Sequence, residues 1–110
     1  MRTYRPLRVG GLIQEELAKI IVREIDFPEG MLVTLSNVEI SPDMEKAKAG
    51  ISVIPTESSA EALKILTKRT GYLQHLLNRK LNIRPMPRVH FEIDYGPANA
   101  AEVEKLLLKK

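Results

Sequence analysis

From Lys46 to Val53 the chain alternates without exception, with Ala47, Ala49, Ile51 and Val53 on one parity and Lys46, Lys48, Gly50 and Ser52 on the other. Successive side chains of a strand point to opposite faces, so the pattern predicts a strand with one buried and one solvated face. The alanines on the buried parity point to a helix packing closely over that strand. Just before it, Ser41-Pro42-Asp43-Met44-Glu45 is turn chemistry. Upstream, Leu32 to Ser41 is rich in Val, Leu, Ile and Thr, with Val33 and Leu35 in one phase and Val38 and Ile40 in the other. A strand with a bulge near Ser36-Asn37 reconciles the two phases, and the two strands make a hairpin.

On either side of this hairpin the apolar period becomes helical. Val9, Leu12, Ile13, Leu17, Ile20, Ile21 and Ile25 have the three-and-four spacing of an amphipathic helix, which Asp26, Pro28 and Gly30 end. After the hairpin, Pro55 stops the strand, and Ser58 with Glu61 three residues later is a capping-box signature for a second, long helix. Beyond Pro85 and Pro87 a third strand places Val89, Phe91, Ile93 and Tyr95 inward and Arg88, His90, Glu92 and Asp94 outward. Asn99 with Glu102 opens a short terminal helix containing Val103, Leu106 and Leu107. The expected class is α+β, a three-stranded sheet with helices on one face. The second and third strands flank a helical crossover and so are expected to pair in parallel. A chain of 110 residues supports one such domain, spanning residues 1–110.

The formal net charge is only +3, but it is unevenly distributed. Between Ala62 and Phe91 stand Lys64, Lys68, Arg69, Arg79, Lys80, Arg84 and Arg88 with no acidic residue, and the first fourteen residues add Arg2, Arg5 and Arg8, again without an acid. These stretches carry +10 and the remainder −7, a polarity that suits a polyanion. With Leu63 at 0° and about 100° per residue, Leu66, Leu73, Leu77 and Leu81 fall on one side of the long helix. Lys64, Lys68, Gly71, His75, Asn78 and Arg79 fall on the other, as one polar ribbon with a glycine in its middle. Gly71 admits two readings. It is a tolerated surface glycine, or it marks a kink that exposes helix-initiating amides to phosphate.

Other chemistries find little support. Without cysteine, disulfides, thiolate metal sites and cysteine catalysis are excluded. No run approaches the ~18 apolar residues of a membrane span, and Met1-Arg2-Thr3-Tyr4-Arg5-Pro6 leads into no signal-peptide core, so a soluble cytoplasmic protein is expected. His90, Glu92 and Asp94 share a strand face but recur at about 6.8 Å, too far apart to converge readily. No catalytic, metal or cofactor site is expected.

Ser41-Pro42-Asp43 followed by Ala47-Lys48-Ala49, then Gly71-Tyr72-Leu73, Leu81, Arg84, Pro87, Phe91 and Asp94, resemble the ribosome-binding factor A family, bacterial assembly factors of the small ribosomal subunit. The resemblance runs from Arg8-Val9 to the third strand. It implies a KH-like fold of type II, order α-β-β-α-(kink)-α-β, in which a helix-kink-helix carrying Ala-x-Gly replaces the Gly-x-x-Gly loop. This chain has no Gly-x-x-Gly and reads Arg69-Thr70-Gly71, so the glycine matches while Arg69 replaces the alanine. Gln74 stands where the family commonly has arginine.

The resemblance further implies a non-catalytic factor that binds free or immature 30S subunits and 16S ribosomal RNA. It would support processing of the 16S 5′ end, particularly in the cold, and leave before translation. Release would fall to ribosomal rearrangement or a partner GTPase. The residues expected to meet RNA are Arg5, Arg8, Lys64, Lys68, Arg69, Gly71, His75, Arg79, Lys80, Arg84 and Arg88. Tyr72 is expected either to stack on a base or to pack against the sheet. A stand-alone KH-like module for other RNAs, and a protein-interaction domain using the open sheet face, are the alternative readings. Monomer is the default state.

Overall fold

The computed structural model describes residues 4–95, and the terminal helix expected around Val103 lies outside them. Helix α1 (Tyr4–Glu24) is followed by strands β1 (Leu32–Ile40) and β2 (Lys46–Ile54), a 3-10 turn (Thr56–Ser58), helix α2 (Ser59–Lys80) and strand β3 (Arg88–Ile93). Helix α1 starts before its apolar run because Pro6, in the first turn, lacks only an N–H that a helix start leaves unbonded anyway. Arg5 and Arg8 therefore stand on the helix. Val9, Ile13, Leu17, Ile20 and Ile21 are buried, whereas Leu12, off the stripe, is 48% exposed.

The sheet has the order β1-β2-β3. Strands β1 and β2 are antiparallel, and β2 and β3 are parallel across the α2 crossover. Leu35 pairs with Ile51 and Asn37 with Gly50, which leaves Ser36 as the bulge that reconciles the two phases of β1. On β2, Ala47, Ala49, Ile51 and Val53 are buried beneath both helices, with α1 over β1 and α2 over β3. The third strand ends one pair earlier than its alternation suggested: Ile93 is its last residue, and Tyr95 is 58% exposed rather than inward. Met31, Met44 and Met86 fill gaps at the margin of the core.

Close approach fixes how α1 lies. A Cβ on Gly10 would sit 2.9 Å from the Val38 carbonyl oxygen of β1, whereas one on Gly11 would meet nothing within 4 Å. Further along the helix, Gln14 Nε2 donates to the Ser36 carbonyl oxygen at 3.1 Å, tying α1 to the bulge. On the opposite face of the sheet, a side chain on Gly50 would overlap Asn37 Oδ1. Over that bare position the Ser36 hydroxyl donates to Asp94 Oδ2 at 2.6 Å, joining β1 to the end of β3 across the central strand.

The hairpin turn is built from its own side chains. Asp43 Oδ1 accepts from the Ser41 hydroxyl at 2.5 Å and from the Glu45 amide at 3.0 Å. Ser41 Oγ in turn accepts from the Lys46 amide at 3.0 Å, and Met44 takes the left-handed conformation with φ 66°.

Two local expectations for α2 are corrected. Ser58 makes no side-chain capping bond, because the 3-10 turn sets its backbone at φ −87°, ψ 1°, outside the extended region that aims an N-cap side chain at the helix amides. Nor is the helix broken at Gly71: one α-helix runs from Ser59 to Lys80. Leu66, Leu73 and Leu77 are fully buried on both sides of the glycine, so the packed stripe carries the helix through it.

Substitutions at these contacts have defined expected outcomes. Gly10→Ala should lower stability in urea unfolding by about 1–2 kcal/mol, overpacking against β1 outweighing the gain in helix propensity, while Gly11→Ala should raise it by about 0.5–1 kcal/mol. The Asp43 carboxyl is held below its ordinary 3.8 by the Ser41 hydroxyl first and the Glu45 amide second. A depressed folded value stabilises fully above 3.8 and is lost as the pH falls through the depressed value, so the advantage of wild type over Asp43→Asn in thermal midpoint should narrow below 3.8.

Candidate nucleic-acid interface

Helix α2 turns Ala62, Leu66, Leu73 and Leu77 into the core, so the opposite side is free to carry charge. Lys64, Lys68, Gly71, His75 and Arg79 are all exposed there. The helical repeat sets them in one row about 22 Å long from Lys64 to Arg79. At Gly71 the row has a gap, since nothing lies within 4 Å of where a side chain would begin. With the helix unbroken, its amides at Gly71 are not presented, so any polyanion there meets cations and a bare backbone rather than a helix start.

Among the described residues no ion pair compensates the charge of this row. The ion pairs among the described residues join Lys19 to Glu15 and Glu16, Arg23 to Glu24, and Lys48 to Glu39. None involves a cation of α2. Surface pairs contribute ~0–1 kcal/mol, so this distribution matters little for folding and much for the external field.

Towards α1 the surface has more structure. Tyr72, 44% exposed, neither packs on the sheet nor stands free. Its hydroxyl donates to Glu24 Oε1 at 3.1 Å, and the Arg69 guanidinium lies 5.0 Å from its ring centroid. Hydrogen bonds from Arg23 and then Tyr72 hold the Glu24 carboxyl below its usual range. Arg69 thus stays exposed without a kink, laid over an aromatic face. Further along, Arg79 and Lys80 border a cleft shared with α1, and Arg5 Nη2 donates to the Arg84 carbonyl oxygen at 3.1 Å. These contacts set the two helices antiparallel, with the arginines at the start of α1 beside the loop that follows α2.

Of the eleven expected residues, ten are therefore distributed over the helical layer and its adjoining loop. Arg88 is not. It projects from the far face of the sheet, paired in register with Lys46, while His90 pairs with Lys48. Strand parity separates it from α2, and the lysines that join it belong to a stretch whose charge balance concealed them. Among the described residues no group of His, Cys, Asp or Glu is placed to hold a metal ion, and no helix is long and apolar enough to cross a membrane.

The chain matches the family model described as ribosome-binding factor A over residues 5–107. The chain belongs to the ribosome-binding factor A family. A ribosome-binding factor A from Nitrosococcus oceani is 37% identical over 111 residues, covering 96% of this chain and 87% of the relative. The fold resembles the crystal structure of ribosome-binding factor A from Thermus thermophilus, with TM-score 0.69, 24% identity, and coverage of 80% of this chain and 94% of that one. It also resembles a homology model of the Thermus thermophilus factor fitted into a cryo-electron microscopy map of its complex with the 30S subunit, with TM-score 0.66, 23% identity, and coverage of 79% and 92%. Type II KH-like architecture fits these ribosome-binding factor A neighbours.

Within this family frame Gln74 has a structural task that the sequence did not disclose. Its Oε1 accepts from the Val89 amide at 2.8 Å and its Nε2 donates to the Pro87 carbonyl oxygen at 3.3 Å. It thereby ties α2 to the start of β3. Gln74→Ala should cost about 1–2 kcal/mol in chemical unfolding by stranding the Val89 amide, whereas Lys68→Ala on the ridge should stay within about 0.5 kcal/mol. Equal costs would contradict this division between structural and surface-facing residues.

Proposed function

We propose that this chain binds the small ribosomal subunit through the cationic row of α2 and assists its late maturation without chemistry of its own. The observation that carries the reading is the row from Lys64 to Arg79, exposed and free of ion pairs among the described residues, in a member of a family named for ribosome binding. The 30S complex of the Thermus relative supports the choice of partner. The contacts are to the ribose-phosphate backbone, where Lys and Arg displace condensed counterions. Arg5, Arg8 and Arg84 extend the same field from the neighbouring helix end and loop. Ribosomal RNA held this way keeps an immature arrangement accessible, which supports processing of the 16S 5′ end. The bacterial cytoplasm is the compartment of this work.

Co-sedimentation with 30S particles across a salt series tests the proposal. Changing Lys68, Arg69 and Arg79 together to alanine should weaken binding and flatten the dependence of log affinity on log salt by about 2 to 3, one per lost phosphate contact. An unchanged slope overturns the placement on α2. Gly71→Ala should raise stability by about 1 kcal/mol and lower subunit affinity, because the methyl group fills the gap through which a backbone approaches. If affinity survives it, the gap has no part in binding.

A further inference from the structure

The cleft between α1 and α2 combines features that phosphate contact alone does not require. It is an open cleft of about 260 Å³. Leu76 lines one side, with the buried Ile20 beneath, while Arg79 and Lys80 supply positive charge beside Arg23, which is paired with Glu24. Glu16 also lines it, with its side chain only 17% exposed. Lys19 approaches one Glu16 oxygen at 3.8 Å, a weak contact, and the other oxygen has no hydrogen-bond donor among the described residues.

An acidic side chain is out of place in a purely phosphate-binding surface, since it repels the ligand. It suits a site that also receives a base. A partly exposed leucine takes one face of the ring, cations at the rim take the attached phosphate, and a guanidinium lies readily against a base face. The carboxylate then selects among bases, because it accepts hydrogen bonds and donates none. Guanine alone presents two adjacent donors, N1–H and the N2 amine, on its pairing edge. Adenine and cytosine each place a ring acceptor beside their amine, and uracil flanks its N3–H with two carbonyl oxygens. Arg79 belongs both to the α2 row and to this cleft, so an RNA strand following the row reaches the cleft at its end.

We infer that the α1–α2 cleft is a binding site for one unpaired guanine nucleotide of RNA, read by the Glu16 carboxylate with the base against Leu76. The site rests on the proposed RNA-binding role of the α2 row and adds base selection to it.

Fluorescence anisotropy of the full 110-residue chain with labelled single-stranded heptamers tests this. The probes are a uridine heptamer and two variants with a central guanosine or a central inosine, which lacks only the N2 amine. The guanosine heptamer should bind about tenfold tighter than the inosine one, and Glu16→Gln should reduce that ratio to about twofold or less with no loss of binding to the uridine heptamer. In methyl NMR spectra the Ile20 and Leu76 signals should move on adding the guanosine heptamer. Equal affinity for all three heptamers, or methyl signals that stay fixed, overturns the guanine site, and if binding still weakens with salt the backbone reading stands. Loss of all salt-dependent heptamer binding would overturn both.

Discussion

Two helices share one core here only because the sheet beneath them is nearly bare at its centre. Ala47 and Ala49 are completely buried on β2, and Gly10 lets α1 come to within a Cβ's reach of the β1 backbone. Larger residues at these positions would lift the helices away from the sheet, opening voids around Ile13, Leu17, Leu66 and Leu73. Once the helices are seated this low, a single stripe of each is enough to complete the core. The outward side of α2 is then released from any packing duty.

The Ser36 bulge completes the frame from the other side. Its carbonyl accepts from Gln14 of α1, and its hydroxyl reaches Asp94 beyond β3 across the vacant face of Gly50. One irregular residue on an edge strand thus touches a helix and the far edge of the sheet. A regular strand would have turned that side chain into line with its neighbours and lost the connection. The extra residue that the two phases of β1 implied is therefore a structural junction, and Gly50 is the space it needs.

How much of this was legible follows from the range of each interaction. Strand parity revealed the inward faces of β2 and β3, and the helical period revealed the stripes of both helices, because each pattern repeats within a few residues. The core of α2 was legible on both sides of Gly71, and its continuous phase already matched an unbroken helix. Burying Leu66, Leu73 and Leu77 contributes roughly 1.5–3 kcal/mol each, against about 1 kcal/mol for one glycine. That comparison favours continuity. Tyr72 and Gln74 were illegible in their true roles, since their partners lie 48 and 15 residues away, in α1 and β3 respectively. Arg88 was grouped with α2 by its place in an acid-free run, although its parity with Lys46 already set it on the opposite face of the sheet.

The row on α2 also has an internal cost that bears on its use. Lys64 and Lys68 stand four residues apart on one helix face, and like charges at that spacing destabilise a helix by about 0.2–0.5 kcal/mol per pair. Nothing acidic on α2 offsets them: Glu61 is the only carboxylate of the helix and is in no ion pair among the described residues. For folding alone, an alternating row of Glu and Lys would serve better. A polyanion removes this repulsion when it binds, so the free energy withheld from the isolated helix becomes available to the complex. With RNA on this row, as proposed above, binding would be coupled to helix stability: α2 would be more stable in the complex than in the free chain, and the coupling would weaken as salt screens the row.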